Sequence, residues 1–427
     1  MADNTDADTV WALTAPEGGR YPRLEGEARA EVTVVGGGFC GLTAALHIAE
    51  AGYAVVLLDS HEPGWGASGR NGGQVIPGLK LDPEQLARLF GADAGRKLAD
   101  LASAAPDLVF DVIERYSIPC YPRRNGWIQL AAGPYGLRQI EDRVRQGQQR
   151  GADIDILDQD EVRALTGARG YIGGMLDRRG GNLNPLAYAR GLARAVITHD
   201  ARIFSHSRVQ AVKQINDNAV VVTSHGRVTS EILILCTNAY TGPCWPGLEK
   251  TIIPFISGAV ATEPLPDTLR EFILSEGQAV ADNCRLLSWF GLDPDGRLIF
   301  GGRTGTWSES NNLSDYQNRI QRMHDVFPQV KGIPVQSYWS GRVALTMDSL
   351  PHIHQLAANV YAGLGFNGRG VAMATLMGKL LAQQLNSNKD DALFPLSPLQ
   401  PIPLHFVRKP VVQSVVLWKK LLDRFVP

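Results

Sequence analysis

Apolar residues change their spacing twice within the first sixty positions. The run EVTVV at 31–35 is rich in β-branched residues and predicts a buried strand. The segment FCGLTAALHIAEAG at 39–52 carries apolar residues at helical spacing and ends on a glycine. A further apolar run, YAVVLLD at 53–59, predicts a second buried strand. Together the three segments predict one β-α-β unit.

The rest of the chain alternates helical and strand-rich stretches. Asp82-Pro83 and Asn184-Pro185 each place a capping residue before a proline, which predicts helices to about 117 and about 199. Residues 202–235 return to strands, and residues 251–339 are strand-rich with turns such as DPDG, which favours an antiparallel sheet. A last helix is predicted at about 371–386. Because the two kinds of segment interleave, we expect an α/β protein with two domains that are discontinuous in sequence.

Composition narrows the class of protein. At 427 residues the chain is long for a single core. A net charge of −1 gives no reason to expect a nucleic-acid partner, which would call for a basic excess. Five scattered cysteines without C-x-x-C spacing, and histidines that are mostly far apart, predict a reducing compartment and no metal site. The acidic N-terminus has no secretory signal pattern, so the expected location is the cytoplasm.

A glycine motif stands between the first strand and helix. Gly36, Gly38 and Gly41 form G-x-G-x-x-G, in which the glycines permit the tight turn, the approach of a pyrophosphate and close helix–strand packing. Asp59 ends the second strand at the distance expected for a residue that accepts a ribose hydroxyl. With both strands in place, the motif indicates a dinucleotide site.

The loop GWGASGRNGGQ at 64–74 favours FAD over NAD. A nicotinamide dehydrogenase would usually continue with further β-α-β units, whereas here five glycines surround a single charge, Arg70. The exposed N–H groups of such a loop could contact the pyrophosphate or flavin of a larger cofactor, and Arg70 could neutralise phosphate charge.

At this point the chain resembles the flavin-dependent amine and amino-acid oxidoreductases that include D-amino-acid, glycine and sarcosine oxidases. The loop GASGRNGGQ is most similar to the branch of γ-glutamylputrescine oxidoreductases and L-pipecolate oxidases. The resemblance continues through TNAY (237–240), ATEPL (261–265), GRLIFGG (296–302), WSGRVALTMDSLP (339–351) and YAGLGFNGRGVAMA (361–374). These segments indicate the family more strongly than the substrate.

The resemblance implies a Rossmann-like FAD-binding domain and a substrate domain whose antiparallel sheet covers the flavin. We assign residues 28–80, 155–250 and 340–400 to the first domain, 81–154 and 251–339 to the second, and 401–427 to a C-terminal amphipathic tail. The residues expected to bind FAD are Gly36, Gly38, Phe39, Cys40, Gly41, Asp59, Ser60, Ala67, Ser68, Arg70, Asn71, Gly72, Gly73, Gln74, Val209, Gly341, Gly365, Phe366, Asn367 and Gly368.

At three positions the sequence differs from the family pattern, and each difference leads to a prediction. Gly341 stands where covalent sarcosine oxidases have their flavin-linking cysteine, so FAD is expected to bind non-covalently. Ile299 stands where sarcosine oxidases place an oxygen-activating lysine, so O2 is not expected to be the preferred electron acceptor. Arg342 lies one position earlier than the substrate-binding arginine of glycine-oxidase-like W-x-G-x-R motifs and could point elsewhere.

The expected chemistry is oxidation of an amine C–N bond to the imine, with the flavin as hydride acceptor. Arg303 is the first candidate for gripping a substrate carboxylate and Arg342 the second. The aromatic residues Trp289, Phe290 and Trp339 are candidates for a pocket that favours the neutral amine. Structural ion pairs and core packing are the alternatives for these side chains.

The leading substrate is L-pipecolate or a similar cyclic or secondary amino acid. The alternative is γ-glutamylputrescine or another polyamine-type amine, for which Arg303 would be unnecessary. A flavin monooxygenase is disfavoured because the chain shows no second dinucleotide motif, and a non-catalytic scaffold is a further alternative. The tail RKPVVQSVVLWKKLLDRF at 408–425 is amphipathic and basic. It could touch the inner face of an anionic membrane, with a quinone as electron acceptor, or dock on its own domain.

Overall fold

The computed structural model describes residues 9–408 apart from 285, 304–307 and 386–393, together with residues 410 and 414. Most of the predicted amphipathic tail helix therefore lies outside the described residues. None of the described helices is both long enough and apolar enough to cross a bilayer.

The described residues form α-helices and β-strands that alternate along the chain. The helices are α1 (Val10–Thr14), α2 (Phe39–Glu50), α3 (Pro83–Phe90), α4 (Ala92–Ser103), α5 (Ala105–Arg115), α6 (Pro134–Gln148), α7 (Gln159–Thr166), α8 (Pro185–Ile197), α9 (Asp267–Arg270), α10 (Gln317–Val326) and α11 (Gly370–Gln383). The strands are β1 (Gly26–Val35), β2 (Val55–Leu58), β3 (Gln74–Val75), β4 (Trp127–Ala131), β5 (Ile154–Leu157), β6 (Gly173–Asp177), β7 (Gly181–Asn182), β8 (Arg202–Phe204), β9 (Ala211–Ile215), β10 (Asn218–Val222), β11 (Gly226–Leu235), β12 (Ile253–Pro264), β13 (Ala279–Asp282), β14 (Ser288–Leu292), β15 (Arg297–Arg303), β16 (Val335–Leu345), β17 (His352–Ala357), β18 (Val360–Leu364) and β19 (Leu396–Ser397).

The first sheet confirms the predicted β-α-β unit. Its strands run in the order β19-β17-β18-β11-β1-β2-β8, and β10 and β9 extend it from β11. The pairs of β1 with β2 and β11, of β2 with β8, and of β11 with β18 are parallel. Their apolar runs are buried because α2, α8 and α11 cover one face of the sheet.

The long helix predicted after Asp82 is three helices, so that prediction was wrong in its length. Asp82 does open α3, with a capping box that includes Gln85. Gly91 then takes φ = 82°, a conformation that a helix does not admit, and it separates α3 from α4. Pro106, in the first turn of α5, has no N–H to donate, and a new helix begins there.

The second sheet has eight strands in the order β16-β12-β15-β14-β13-β4-β6-β5. The predicted antiparallel arrangement is confirmed for every pair except β13 with β4, which run parallel. One face of this sheet packs on α7 and α10 through a core that includes Val260, Phe290 and Phe300. The other face is turned toward the first sheet.

Strand pairing moves the domain boundaries that the sequence indicated. β6 pairs with β4 and β5, so residues up to 177 belong to the second sheet rather than leaving it at 155. β16 runs from Val335 to Leu345 and therefore crosses the expected boundary at 340. The apolar pattern of a strand shows that it is buried, but not which of two sheets it joins.

Candidate active site

A cavity of about 1550 Å³ lies between the two sheets. Single-ligand pockets usually measure ~300–1,000 Å³, so this cavity has room for an extended dinucleotide and a substrate. Its floor comes from the first sheet and its connecting loops, and its roof from the second sheet. All but five of the predicted cofactor and substrate residues line it.

The glycine motif forms one end of the floor. Gly36 takes φ = 112°, and a Cβ there would stand 2.7 Å from the carbonyl oxygen of Cys236. The motif leads directly into α2, and the N–H groups of Gly38 and Cys40 have no acceptor among the described residues. These N–H groups at a helix N-terminus fit a pyrophosphate.

Asp59 lies beside this loop, as the sequence predicted. Its carboxylate accepts hydrogen bonds from the N–H of Gly37 at 2.5 Å and from the N–H of His61 at 2.8 Å. Burial raises the pKa of the Asp59 carboxyl to about 6, although the backbone N–H donors oppose the rise. Ribose hydroxyls would favour the ionised form of this group.

The backbone of Val209 fits the adenine end of the cofactor. Val209 lines the cavity near Asp59, between Ser207 and the start of β9. Its N–H and carbonyl have no hydrogen-bond partner in the described part of the chain. They are therefore available to the edge of an adenine ring.

The loop 64–74 is held in shape by its own side chains. The hydroxyl of Ser68 accepts a hydrogen bond from the N–H of Phe39 at 3.0 Å, which ties the loop to the start of α2. The amide of Asn71 donates to the carbonyls of Ala67 and Ser68, and its oxygen accepts from the N–H of Gly73. The loop thus presents a preformed edge to the cavity.

Arg70 fastens this loop to the roof. Its guanidinium donates to the carbonyl of Trp65 at 2.8 Å and to that of Ser340 at 3.3 Å, and it lies over the Trp65 ring. These contacts give Arg70 a structural role that the sequence did not indicate. Its predicted role in neutralising phosphate charge stays a prediction.

A second helix N-terminus opens into the cavity at α11. Gly368 and Gly370 line the cavity at the start of this helix. Asn367 has φ = 51°, and its side chain bonds to the carbonyl of Gly365 at 2.6 Å and to Thr346. This bonding holds the turn in the conformation that exposes the helix N-terminus, as expected for the pyrimidine end of a flavin.

Three residues predicted to bind FAD lie beneath the cavity surface instead. A Cβ on Gly41 would overlap the carbonyl of Gly36, one on Gly73 would overlap the carbonyl of Leu183, and one on Gly365 would overlap Thr346. These three glycines allow close packing against the neighbouring chain, so they shape the site without lining it.

Two rows of residues lie on the face of the roof sheet that is turned toward the floor, and part of each row lines the cavity. Residues paired across neighbouring strands share a face of the sheet. One row contains Gln129, Ala281, Trp289, Gly301, Ala259 and Trp339. The next row contains Arg303, Ser257 and Gly341. Strand register therefore places Arg303 and Trp289 on the face that Gly341 turns toward the loop residues Ala67 and Arg70.

Trp289 forms part of the roof wall, as predicted. Its indole packs against Gly72 of the floor loop and against Gly301 of the neighbouring strand. A Cβ on Gly301 would overlap the indole, and one on Gly72 would stand 2.6 Å from its Cε3 atom. Two glycines thus make the space that Trp289 occupies.

Arg303 is a half-buried cation in this cavity. Its side chain has no hydrogen bond or ion pair to any described residue, and burial lowers the pKa of its guanidinium. A group of this kind gains most from an anionic ligand, because a carboxylate can accept two parallel N–H bonds from a guanidinium.

Arg342 does not share that arrangement. Arg342 also lines the cavity, but it follows Gly341 in β16, so strand alternation turns its side chain away from the sheet face that carries Arg303. Its guanidinium is 3.6 Å from the carboxylate of Glu309 and lies over the ring of Tyr240. Arg342 therefore already has an anionic partner, and we withdraw it as a second carboxylate-binding residue.

Two of the predicted aromatic walls are core residues. Trp339 is 2 % exposed and does not line the cavity, and its Nε1 donates to the carbonyl of Arg70. Phe290 packs on Phe300 and Phe327 on the far face of the roof. Ile299, the position used to infer a poor reaction with O2, is also buried away from the cavity.

Sequence reasoning missed several cavity residues. Tyr240, Gln129 and Arg369 all line the cavity. Tyr240 lies in TNAY and Arg369 in GFNGRG, two segments that carried the family resemblance, so the segments themselves were the signal. The position of Gln129 in the cavity follows from how β4 pairs with β13, and local sequence patterns do not reveal that pairing.

Comparison with known proteins agrees with this geometry. The model of the family described as FAD dependent oxidoreductase matches residues 31–384. The probable oxidoreductase OrdL of Haemophilus influenzae is 32 % identical, with 86 % of this chain and 85 % of that protein covered. The γ-glutamylputrescine oxidoreductase of Escherichia coli is 31 % identical, with 91 % of each chain covered.

Solved structures share the fold at lower identity. Glycine oxidase from Bacillus cereus superposes with a TM-score of 0.69 and 18 % identity, over 84 % of this chain and 95 % of that one. This likeness supports the two-sheet architecture.

Proposed function

Because the chain belongs to the family of FAD dependent oxidoreductases, we propose that it oxidises the amine C–N bond of a small amino or imino acid to the imine. L-Pipecolate, or a similar cyclic or secondary amino acid, is the proposed substrate. The observation that carries this proposal is Arg303, a half-buried guanidinium that faces the cavity without an anionic partner among the described residues.

The roof would hold the substrate against the cofactor. Arg303 would bind the carboxylate, and Trp289, in the neighbouring strand, would cover the apolar ring. FAD, bound along the floor, supplies the hydride-accepting group. We expect its binding to be non-covalent, because Gly341 supplies no side chain to link it.

The amine must lose its proton before a hydride can leave the neighbouring carbon. Free amines titrate about three units above neutral pH, so deprotonation costs about 4 kcal/mol. The rings of Trp127, Trp289 and Phe366 line the cavity and disfavour a buried cation. This environment would favour the neutral amine that the reaction requires.

A second candidate substrate is γ-glutamylputrescine or a similar polyamine-type amine. The relative from Escherichia coli that bears this name is 31 % identical over 91 % of the chain. The cavity of about 1550 Å³ is also larger than the ~300–1,000 Å³ of a usual single-ligand pocket, which suits a long substrate beside the cofactor. In this alternative the oxidised amine lies far from the substrate carboxylate.

The electron acceptor is proposed to be O2 or a membrane quinone. Peripheral membrane contact through the tail at 401–427, at the inner face of the membrane, remains part of this proposal. A protein purified with and without the tail would be compared for binding to anionic vesicles.

The test of the substrate is a panel of amines assayed with an artificial electron acceptor. L-Pipecolate is compared with piperidine, which lacks only the carboxylate, and with γ-glutamylputrescine. We expect L-pipecolate to exceed piperidine by at least tenfold in kcat/KM. Equal turnover of the two would overturn the role of Arg303, and preference for γ-glutamylputrescine would establish the second candidate.

A further inference from the structure

The guanidinium of Arg369 also faces this cavity without a carboxylate partner. Of the other cavity arginines, Arg143 bonds to Asp82 at 2.6 Å and Arg342 lies 3.6 Å from Glu309. Arg70 donates to the carbonyls of Trp65 and Ser340, and Arg88 and Arg208 are exposed. Within the described part of the chain, no carboxylate lies within ion-pair distance of Arg369.

Arg369 is fixed at the boundary between floor and roof. Its Nη1 donates to the carbonyl of Pro77 at 2.6 Å, and its guanidinium lies 5.6 Å from the ring centroid of Trp127 in β4. Burial lowers the pKa of Arg369 to about 9. The hydrogen bonds of this partly buried cation go only to carbonyls, and Asp82 and Asp177 act on it from beyond ion-pair distance, so an anion that binds beside it stabilises it further.

The cofactor does not account for this charge. The pyrophosphate site is formed by the N-terminus of α2, beside Gly38 and Cys40. Arg369 stands instead at the N-terminus of α11, where the neutral ring end of oxidised FAD is expected. The cavity therefore offers a second cationic group where the substrate, rather than phosphate, would lie.

Arg303 and Arg369 flank the substrate space from opposite sides. Arg303 ends β15, whereas Arg369 packs on Trp127 of β4, and β14 and β13 lie between these strands. Three strand spacings of ~4.8 Å separate the two strands by roughly 14 Å. Trp289, in β14, lies between the two cations.

We propose that Arg369 binds a second carboxylate, and that the substrate is a secondary amine with a carboxylate on each of its two arms. This inference rests on the proposed function, because Arg303 takes the first carboxylate. A hydride would pass from a carbon beside the neutral nitrogen to FAD, leaving a protonated imine. Water would then add to the C=N bond and release an oxo acid and a primary amine, which retains the other carboxylate.

The test compares paired compounds on the FAD-loaded enzyme. N-Propyl-, N-butyl- and N-pentylglycine are each matched by the N-carboxyalkylglycine in which the terminal methyl is a carboxylate. The half-saturating concentration of each compound is measured without oxygen from the flavin absorbance. A compound that only binds shifts the flavin spectrum, and a compound that is oxidised bleaches it. We expect the dicarboxylate to bind at least tenfold more tightly at one or more arm lengths.

Variants then assign the preference to a residue. Arg369→Leu should reduce the ratio between paired compounds at least fivefold, and Arg369→Lys should keep part of it because the positive charge remains. Arg163→Leu, in the exposed surface of α7, is the control for loss of one arginine. FAD content and the melting temperature of each variant show that it is folded.

Two results would overturn the inference. One is equal binding of the paired compounds at every arm length, or no response to either series. The other is a ratio that Arg369→Leu leaves unchanged. If Arg303→Ala weakens both series while Arg369→Leu changes no ratio, the proposed function stands and only this inference fails. If Arg303→Ala weakens neither series, the proposed function itself fails.

Discussion

The indole Nε1 of Trp339 donates a hydrogen bond of 2.9 Å to the backbone carbonyl of Arg70. Trp339 belongs to the roof sheet and Arg70 to the floor loop, so this bond joins the two walls of the cavity. In the other direction, the Arg70 guanidinium donates a hydrogen bond of 3.3 Å to the carbonyl of Ser340. The loop that is expected to contact FAD is therefore held in place by the substrate domain.

Removing that bond should loosen the cofactor loop. Trp339→Phe leaves the buried Arg70 carbonyl without a donor, which costs about 1–3 kcal/mol. We expect a lower melting temperature and FAD affinity weaker by about tenfold, since 1.4 kcal/mol is a factor of ten. Fluorescence titration of the FAD-free protein measures the affinity. An unchanged dissociation constant in Trp339→Phe would show that the loop holds its shape without the roof.

Gly301 should be required for the position of Trp289. In Gly301→Ala the new Cβ overlaps the indole, and overpacking of this kind typically costs ~1–3 kcal/mol. Trp289→Ala removes the indole that the new Cβ would overlap. Adding Gly301→Ala to Trp289→Ala should therefore cost much less stability than adding it to the wild type. Urea unfolding of the four proteins measures the coupling. Additive losses in free energy of unfolding would contradict this packing.

FAD affinity should fall in acid because of Asp59. Burial raises the pKa of this carboxyl to about 6 in the free protein. Ribose hydroxyls donate to the ionised carboxylate, so above pH 6 the group is ready to bind and below pH 6 a proton must first leave. The dissociation constant should therefore rise toward tenfold per pH unit below pH 6.

Asp59→Asn should bind FAD more weakly at pH 8 and lose most of this pH dependence. Asp155→Asn, which removes an exposed carboxylate paired with Arg178, is the control and should keep the wild-type profile. A wild-type affinity that is constant between pH 5 and 8 would remove Asp59 from the ribose site.

FAD should be released by acid precipitation. Gly341 lies across from Ala67 and Arg70 and has no side chain that could form a link to the flavin. The supernatant should carry the yellow colour and the precipitate should be colourless. Colour retained on the denatured chain would mean a covalent link through another residue, such as a cavity cysteine.

Local sequence patterns predicted the floor of the cavity better than its roof. The glycine motif and Asp59 lie within sixty residues, and their roles depend on a β-α-β unit that the apolar spacing shows directly. The direction of Arg342 depends on strand alternation counted from Gly341, which becomes certain only when the pairing of β16 with β12 is known. Trp339 is an aromatic residue of the kind that lines pockets. Its position in β16 instead packs it on the floor loop, where it bonds to Arg70.

Anaerobic reduction of the flavin by L-pipecolate tests the central claim most directly, because it reports hydride transfer without the electron acceptor. The wild-type enzyme should be bleached by L-pipecolate at concentrations at least tenfold lower than those needed for piperidine. Arg303→Ala should raise the half-saturating concentration of L-pipecolate tenfold or more and leave that of piperidine within twofold. A change below twofold for L-pipecolate in Arg303→Ala would contradict the account.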